Sequence, residues 1–148
     1  MDAALSYLTG RMRTVREVED KLDDLQYGEG DILATVERLK ELNLLNDAEY
    51  AREFVRSRLA TKPVSRQKLY MDLKVHKVPE ECIMLALSEL PSETEADNAF
   101  EVAKKYWRQM SALEEPVRRE RVLRRLTSRG FSAEASLAAI RQAAEEED

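Results

Sequence analysis

The sequence predicts an all-α protein of three tandem three-helix, helix-turn-helix-like repeats, and three observations predict it. Apolar residues recur at spacings of three and four, as in Val15, Val18, Leu22 and Leu25 and again in Ile32, Leu33, Val36 and Leu39, drawing one buried stripe along a helix. No window alternates with period two, as a half-buried strand would. Laying Leu22, Leu73 and Leu126 over one another, 51 and 53 residues apart, brings their neighbours into agreement. Val18, Leu69 and Val122 stand four residues earlier, Tyr27, Val78 and Phe131 five later, and Val36, Leu87 and Ile140 fourteen later.

Nine helices follow in order, at 3–10, 14–25, 31–42, 47–60, 65–76, 79–89, 93–110, 117–129 and 132–145, with ends placed to within about 2–4 residues. Thr14-Val15-Arg16-Glu17, Asn46-Asp47-Ala48-Glu49 and Ser92-Glu93-Thr94-Glu95 start the second, fourth and seventh. Each sets a capping side chain three residues before a glutamate able to return the hydrogen bond. Ser65 and Ser132 read as N-caps of the fifth and ninth helices, and Pro79 suits the first turn of the sixth. Four residues after each repeat leucine stand Gln26, Lys77 and Gly130, where the middle helix of a unit ends and a left-handed C-cap is expected; only the third is glycine.

The repeats are therefore 1–45, 46–91 and 92–148, joined near Asn43–Asn46 and Leu90–Glu93. A unit of about 50 residues is marginal alone, so stacking between neighbours must supply the remaining burial. The expected shape is an elongated, curved array with a radius of gyration above the roughly 15 Å of a compact chain this long.

Composition narrows the function. Among 148 residues, 36% are charged and none of the apolar runs reaches the roughly 18 residues of a membrane span. The start, Met1-Asp2-Ala3-Ala4-Leu5, lacks the basic and apolar regions of a secretory leader, so a cytoplasmic protein is expected. A lone Cys82 and a lone His76 supply neither an internal disulfide nor the usual zinc ligand set, and neither metal nor cofactor is expected. Cys82 is placed in the core beside Met84 and Leu85, and His76 at a helix end. No phosphate loop or catalytic triad spacing occurs, and the carboxylates Glu17, Glu19, Asp20, Asp23 and Asp24 read as a solvated face; the protein is expected not to be an enzyme.

The net charge of -5 conceals segregation. Residues 50–78 carry Arg52, Arg56, Arg58, Lys62, Arg66, Lys68, Lys74 and Lys77 against only Glu53 and Asp72, a local +6. Residues 104–130 are again +6, and six of their cations, Arg118, Arg119, Arg121, Arg124, Arg125 and Arg129, share one helix with the apolar stripe Val117, Val122, Leu123 and Leu126. Acid gathers in the first third and in Glu145-Glu146-Glu147-Asp148. Either face could be plain solubilising charge or a contact surface, and arginine suits two-pronged carboxylate or phosphate contacts better than lysine. The third helices of the units begin Asp31-Ile32, Pro79-Glu80-Glu81 and Ser132-Ala133-Glu134, acidic starts that disfavour sequence-specific groove reading. Tyr50 with Phe54, and Phe100, Tyr106 and Trp107, read as core, with one of the adjacent Tyr106 and Trp107 turned outward as a contact candidate.

Three blocks carry a resemblance. Ala4-Leu5-Ser6-Tyr7-Leu8 with Arg11-Met12-Arg13-Thr14-Val15-Arg16-Glu17-Val18-Glu19-Asp20-Lys21-Leu22 resembles the N-terminal signature of the RecX family, regulators of the RecA recombinase. Leu44-Leu45-Asn46-Asp47-Ala48-Glu49-Tyr50-Ala51-Arg52-Glu53-Phe54-Val55-Arg56-Ser57-Arg58 is similar to its second block, and Leu123-Arg124-Arg125-Leu126-Thr127-Ser128-Arg129-Gly130-Phe131-Ser132 to its third. The chain departs from the pattern where Gln26 and Lys77 stand in place of glycine.

The resemblance implies a non-enzymatic regulator of recombination and DNA repair within the SOS response. Such a protein binds the RecA filament on DNA and restrains its ATP hydrolysis, strand exchange and extension. The implied partner surface comprises fourteen cations, the eight of residues 50–78 and the six arginines from Arg118 to Arg129, with weak non-specific DNA contact besides, no membrane, and a monomeric state. A DNA-binding module independent of RecA and a helical interaction scaffold are the alternatives.

Overall fold

The computed structural model describes residues 1–91 and 93–147, and among them nine helices and no strand. They are α1 (Asp2–Leu8), α2 (Val15–Asp24), α3 (Glu29–Glu41), α4 (Asp47–Thr61), α5 (Arg66–Val75), α6 (Glu80–Ser88), α7 (Thr94–Gln109), α8 (Glu115–Ser128) and α9 (Ala133–Glu147). Each predicted helix is present, shifted by at most two residues at either end.

The starts form as the side chains dictate. The Glu17 amide donates to Thr14 Oγ1 (3.2 Å) and the Thr14 amide to Glu17 Oε1 (3.0 Å), a complete capping box. Asn46 Oδ1 accepts the Glu49 amide, Ser65 Oγ the Lys68 amide, and Ser132 Oγ the Ala135 amide, at 3.0–3.1 Å. The capping box expected at Ser92 lies outside the described residues.

The middle helices end alike. Gln26, Lys77 and Gly130 take φ of 69°, 64° and 92°, the left-handed region, and each amide bonds back three residues while the next bonds back five, to the repeat leucine. Asn43 closes α3 in the same way, with φ 58°. Three non-glycine residues, Gln26, Asn43 and Lys77, thus adopt a conformation that glycine reaches without strain.

By its contacts the chain divides into two compact units, residues 1–55 with 72–86, and residues 56–71 with 87–148. The first unit packs α1, α2 and α3 around Ala4, Val18, Leu22, Ile32, Val36, Leu39 and Leu45. It also joins the first repeat to part of the second: Thr14 Oγ1 donates to His76 O (2.8 Å) at the end of α5, and Asp47 Oδ1, in the first turn of α4, accepts the Val15 amide (2.9 Å). The second unit packs α7, α8 and α9 around residues including Ala103, Trp107, Val122, Leu126, Phe131 and Ile140.

The second unit repeats the first bond at equivalent positions and the second from the same donor position to another first-turn carboxylate. Ser65 Oγ donates to Arg129 O (3.0 Å), and Glu95 Oε2 accepts the Arg66 amide (2.8 Å). Thr14 and Ser65 stand eight residues before their repeat leucines and are fully buried, so a hydroxyl that caps its own helix also fastens the following repeat.

Several apolar residues expected inside face water. Leu33 is 64% exposed because neighbouring Ile32 takes the buried direction, and Leu25 lies past the last turn of α2. Val117 is exposed because the buried stripe of α8 runs through Arg118, Val122 and Leu126, a register hidden by the arginine. On α6 the buried residues are Ile83, Ala86 and Leu87, which leaves Met84 and Leu85 exposed and Cys82 half-buried instead of in the core. Trp107 is buried and Tyr106 half-buried, as the adjacent pair requires, while Tyr50 is buried against a half-buried Phe54 with ring centroids 6.3 Å apart.

Ser136, fully buried on α9, has a hydroxyl with no hydrogen-bond partner among the described residues. Ser136→Ala removes the unmet polar group without adding volume, so the chain should gain about 1 kcal/mol. Chemical denaturation checks this through a raised midpoint at unchanged slope, and a lowered midpoint would refute it.

Candidate binding surface

The two basic stretches fold into different electrostatic settings. In the first, Arg56, Lys62, Lys68, Lys74 and Lys77 are exposed and Arg52, Arg58 and Arg66 half-buried. Arg52 lies 3.8 Å from Glu49, Lys74 pairs with Glu80 (2.8 Å), and Lys77 pairs with Asp20. The hydrogen bond from Lys77 holds the Asp20 carboxyl below its ordinary value. Arg66 is engaged most fully, its guanidinium donating to Leu87 O (3.1 Å), Leu90 O (3.1 Å) and Pro91 O (2.9 Å) where α6 ends. It adds a second donor to the Leu87 and Pro91 carbonyls, which also accept the Leu90 and Thr94 amides, and caps the Leu90 carbonyl just beyond the helix.

On α8, Arg119 binds Glu115 (2.7 Å) and Arg124 binds Glu120 (2.9 Å), exposed pairs one turn apart. Arg118 is only 8% exposed: its guanidinium sits 3.8 Å from the Trp107 ring centroid, donates to Trp107 O and grips Glu147 with two bonds, 2.7 and 3.2 Å. Arg121, Arg125 and Arg129, successive i, i+4 positions on one stripe, form no ion pair among the described residues.

That stripe runs beside Tyr106. Arg129 Nη2 donates to the Tyr106 hydroxyl (2.8 Å), and the ring centroid is 5.4 Å from Arg129 Cζ, 5.5 Å from Arg125 Cζ and 5.5 Å from Lys105 Nζ. The ring face offsets part of the repulsion among the three cations and holds them in place. Lys105 is the member that sequence reasoning left out; its only signal is its place in the second +6 stretch. A rigid cationic stripe with an aromatic rail suits carboxylates or phosphates on an extended partner.

Other groups offer less chemistry. Burial first, then Asp47 and Glu81, raise the Cys82 thiol above its ordinary value and leave it protonated and unreactive. It lines a cavity of about 550 Å³ with Val15, Lys40, Leu45, Asp47 and Pro79. Burial likewise pushes the Asp47 carboxyl up, against the opposing bond from the Val15 amide. His76 Nδ1 stands 3.3 Å from Glu17 Oε2, with its ring against both Tyr50 and Phe54. Among the described residues no His, Cys, Asp and Glu group has metal-holding geometry, and no helix is long and apolar enough to cross a membrane.

The chain matches the models of the first, second and third three-helix domains of RecX over residues 1–39, 46–87 and 93–140. It is 31% identical over 143 residues to the regulatory protein RecX of Streptomyces lividans, covering 97% of this chain and 76% of that one. With the regulatory protein RecX of Prosthecochloris aestuarii the identity is 33% over 136 residues, 90% of this chain and 86% of the other. The crystal structure of RecX from Lactobacillus salivarius superposes with a TM-score of 0.89 at 26% identity, over 96% of this chain and 92% of that one.

Proposed function

We propose, because this chain belongs to the RecX family of regulatory proteins, that it is a non-enzymatic regulator of homologous recombination and DNA repair that binds the RecA filament on DNA. Bound there as a cytoplasmic monomer, it restrains ATP hydrolysis, strand exchange and filament extension. The observation that carries this reading is the stripe Arg121, Arg125 and Arg129, the last two gathered with Lys105 around Tyr106, cations that form no ion pair among the described residues. A helical polymer that repeats its acidic groups at fixed intervals can meet such a stripe on one repeat and the basic residues of α4 and α5 on another. Contacts on separate repeats, 1–45, 46–91 and 92–148, then add by effective concentration, so individually weak charges hold several protomers.

Exchanging Arg121 and Arg125 together for glutamate tests it. Both are exposed, so each change should alter stability by no more than about 0.5 kcal/mol. The concentration needed to suppress DNA-dependent ATP hydrolysis by RecA should rise by roughly tenfold or more, as expected when interface charges meet their own sign. Unchanged suppression would reassign this stripe to solubility. Tight, sequence-preferring binding to bare duplex would favour the RecA-independent DNA-binding module instead.

A further inference from the structure

We propose that the end face of the third repeat, where Arg118 crosses Trp107, is a docking site for an acidic segment of a protein partner, and that Glu147 fills it in the free chain. Repeat register supports this first. Eight residues before the repeat leucines stand Thr14, Ser65 and Arg118, all buried, and the first two bind the repeat that follows them. At both of those joints the following repeat also brings a first-turn carboxylate, Asp47 to the Val15 amide and Glu95 to the Arg66 amide. An acidic helix start is therefore what this face of a repeat receives.

In the third repeat α8 begins one turn earlier relative to its leucine than α2 and α5 do, so its amides at this level are spent inside the helix, Arg118 N bonding to Glu114 O (2.8 Å). The receptor for a carboxylate becomes the Arg118 side chain, and the carboxylate it holds is Glu147. Hydrogen bonding from Arg118 lowers the Glu147 carboxyl below its ordinary value, so the occupant is charged at neutral pH.

The site holds more donors than Glu147 uses. Among the described residues Trp107 Nε1 is buried with no hydrogen bond closed, though it lies near enough to the Glu147 carboxyl to help lower it, and a cavity of about 90 Å³ is lined by Lys104, Trp107, Arg108, Ala143, Glu146 and Glu147. Glu147 itself is half-exposed in the last turn of α9, where a helix frays, and among the described residues its ion pair is with Arg118. Exchanging it for a partner's carboxylate conserves the two Arg118 bonds, and the additional contacts to Trp107, Lys104 and Arg108 decide the balance. Glu145 and Glu146 on the same turn oppose a polyanionic nucleic-acid backbone more than a single protein carboxylate.

Trp107 is the sole tryptophan, so its fluorescence reports on the site without any recombinase. The full chain and its Glu147→Gln variant are titrated with a short peptide blocked at both ends that carries one glutamate among neutral residues, and in parallel with a short DNA duplex. The peptide should bind the variant about tenfold more tightly than the parent, because the competing carboxylate has gone, and duplex affinity should change by less than twofold. An unchanged circular dichroism spectrum and melting midpoint of the variant exclude a loosened fold as the source of the gain. Equal peptide affinity for the two proteins would overturn the proposal, and so would a gain confined to the duplex. The titration stands apart from the RecA reading, which it can neither rescue nor sink.

Discussion

Gly130→Ala should destabilise the chain by about 2–4 kcal/mol, the largest loss expected from any single methyl group added to this protein. Two costs coincide there. The residue lies at φ 92°, and a Cβ would stand 2.5 Å from Ser65 Oγ and 3.3 Å from the Lys68 backbone nitrogen. Ser65 cannot retreat freely, since its hydroxyl both accepts the Lys68 amide and donates to Arg129 O. Two other glycines separate the terms: Gly10 has φ 97° with nothing within 4 Å, and Gly28 has open space at φ -73°. Thermal melts of the three alanine variants should rank Gly28 near the parent, Gly10 lower by about 1 kcal/mol and Gly130 lowest. A Gly130 variant no worse than that of Gly10 would show that the close approach to Ser65 has no energetic weight.

Arg66→Lys should cost about 2–3 kcal/mol although it keeps the positive charge. Three carbonyls, those of Leu87, Leu90 and Pro91, accept from one forked guanidinium, and an ammonium on a flexible stem cannot reach all three. Arg66→Met should cost nearly as much. Denaturant midpoints of the two variants distinguish a structural fork from a solvated contact charge, for which the lysine variant would melt with the parent.

These two residues mark what a linear reading can and cannot contain. The left-handed turn at Gly130 was legible because its cause is local: the repeat leucine four residues earlier sets the end of the helix, and glycine relieves the turn. Gln26 and Lys77 confirm that the register outranks the residue, since both take the same conformation with a Cβ in place. Arg66 offered no such signal. In a stretch of eight cations it looks like its neighbours, and its role depends on a helix end more than twenty residues away. Arg118 was hidden similarly, because its hydropathy argues for water while the stripe through Val122 and Leu126 carries it inward.

The sequence by itself determined the all-α class, the order and ends of the helices, the repeat register and the hydroxyl N-caps. Each of these follows from hydrogen bonds and apolar spacings within one or two turns of the chain, and such interactions are present wherever the segment forms. Only tertiary structure decided what the buried polar groups bind. Thr14 finds His76 O at 62 residues' separation, Ser65 finds Arg129 O at 64, and Arg118 finds Glu147 at 29. It also decided which arginines are ion-paired, leaving Arg121, Arg125 and Arg129 without a carboxylate among the described residues while Arg66 and Arg118 are drawn into the fold. The physical reason is that a cation's availability depends on acceptors brought to it by distant segments, and charge counted along a chain carries no record of them.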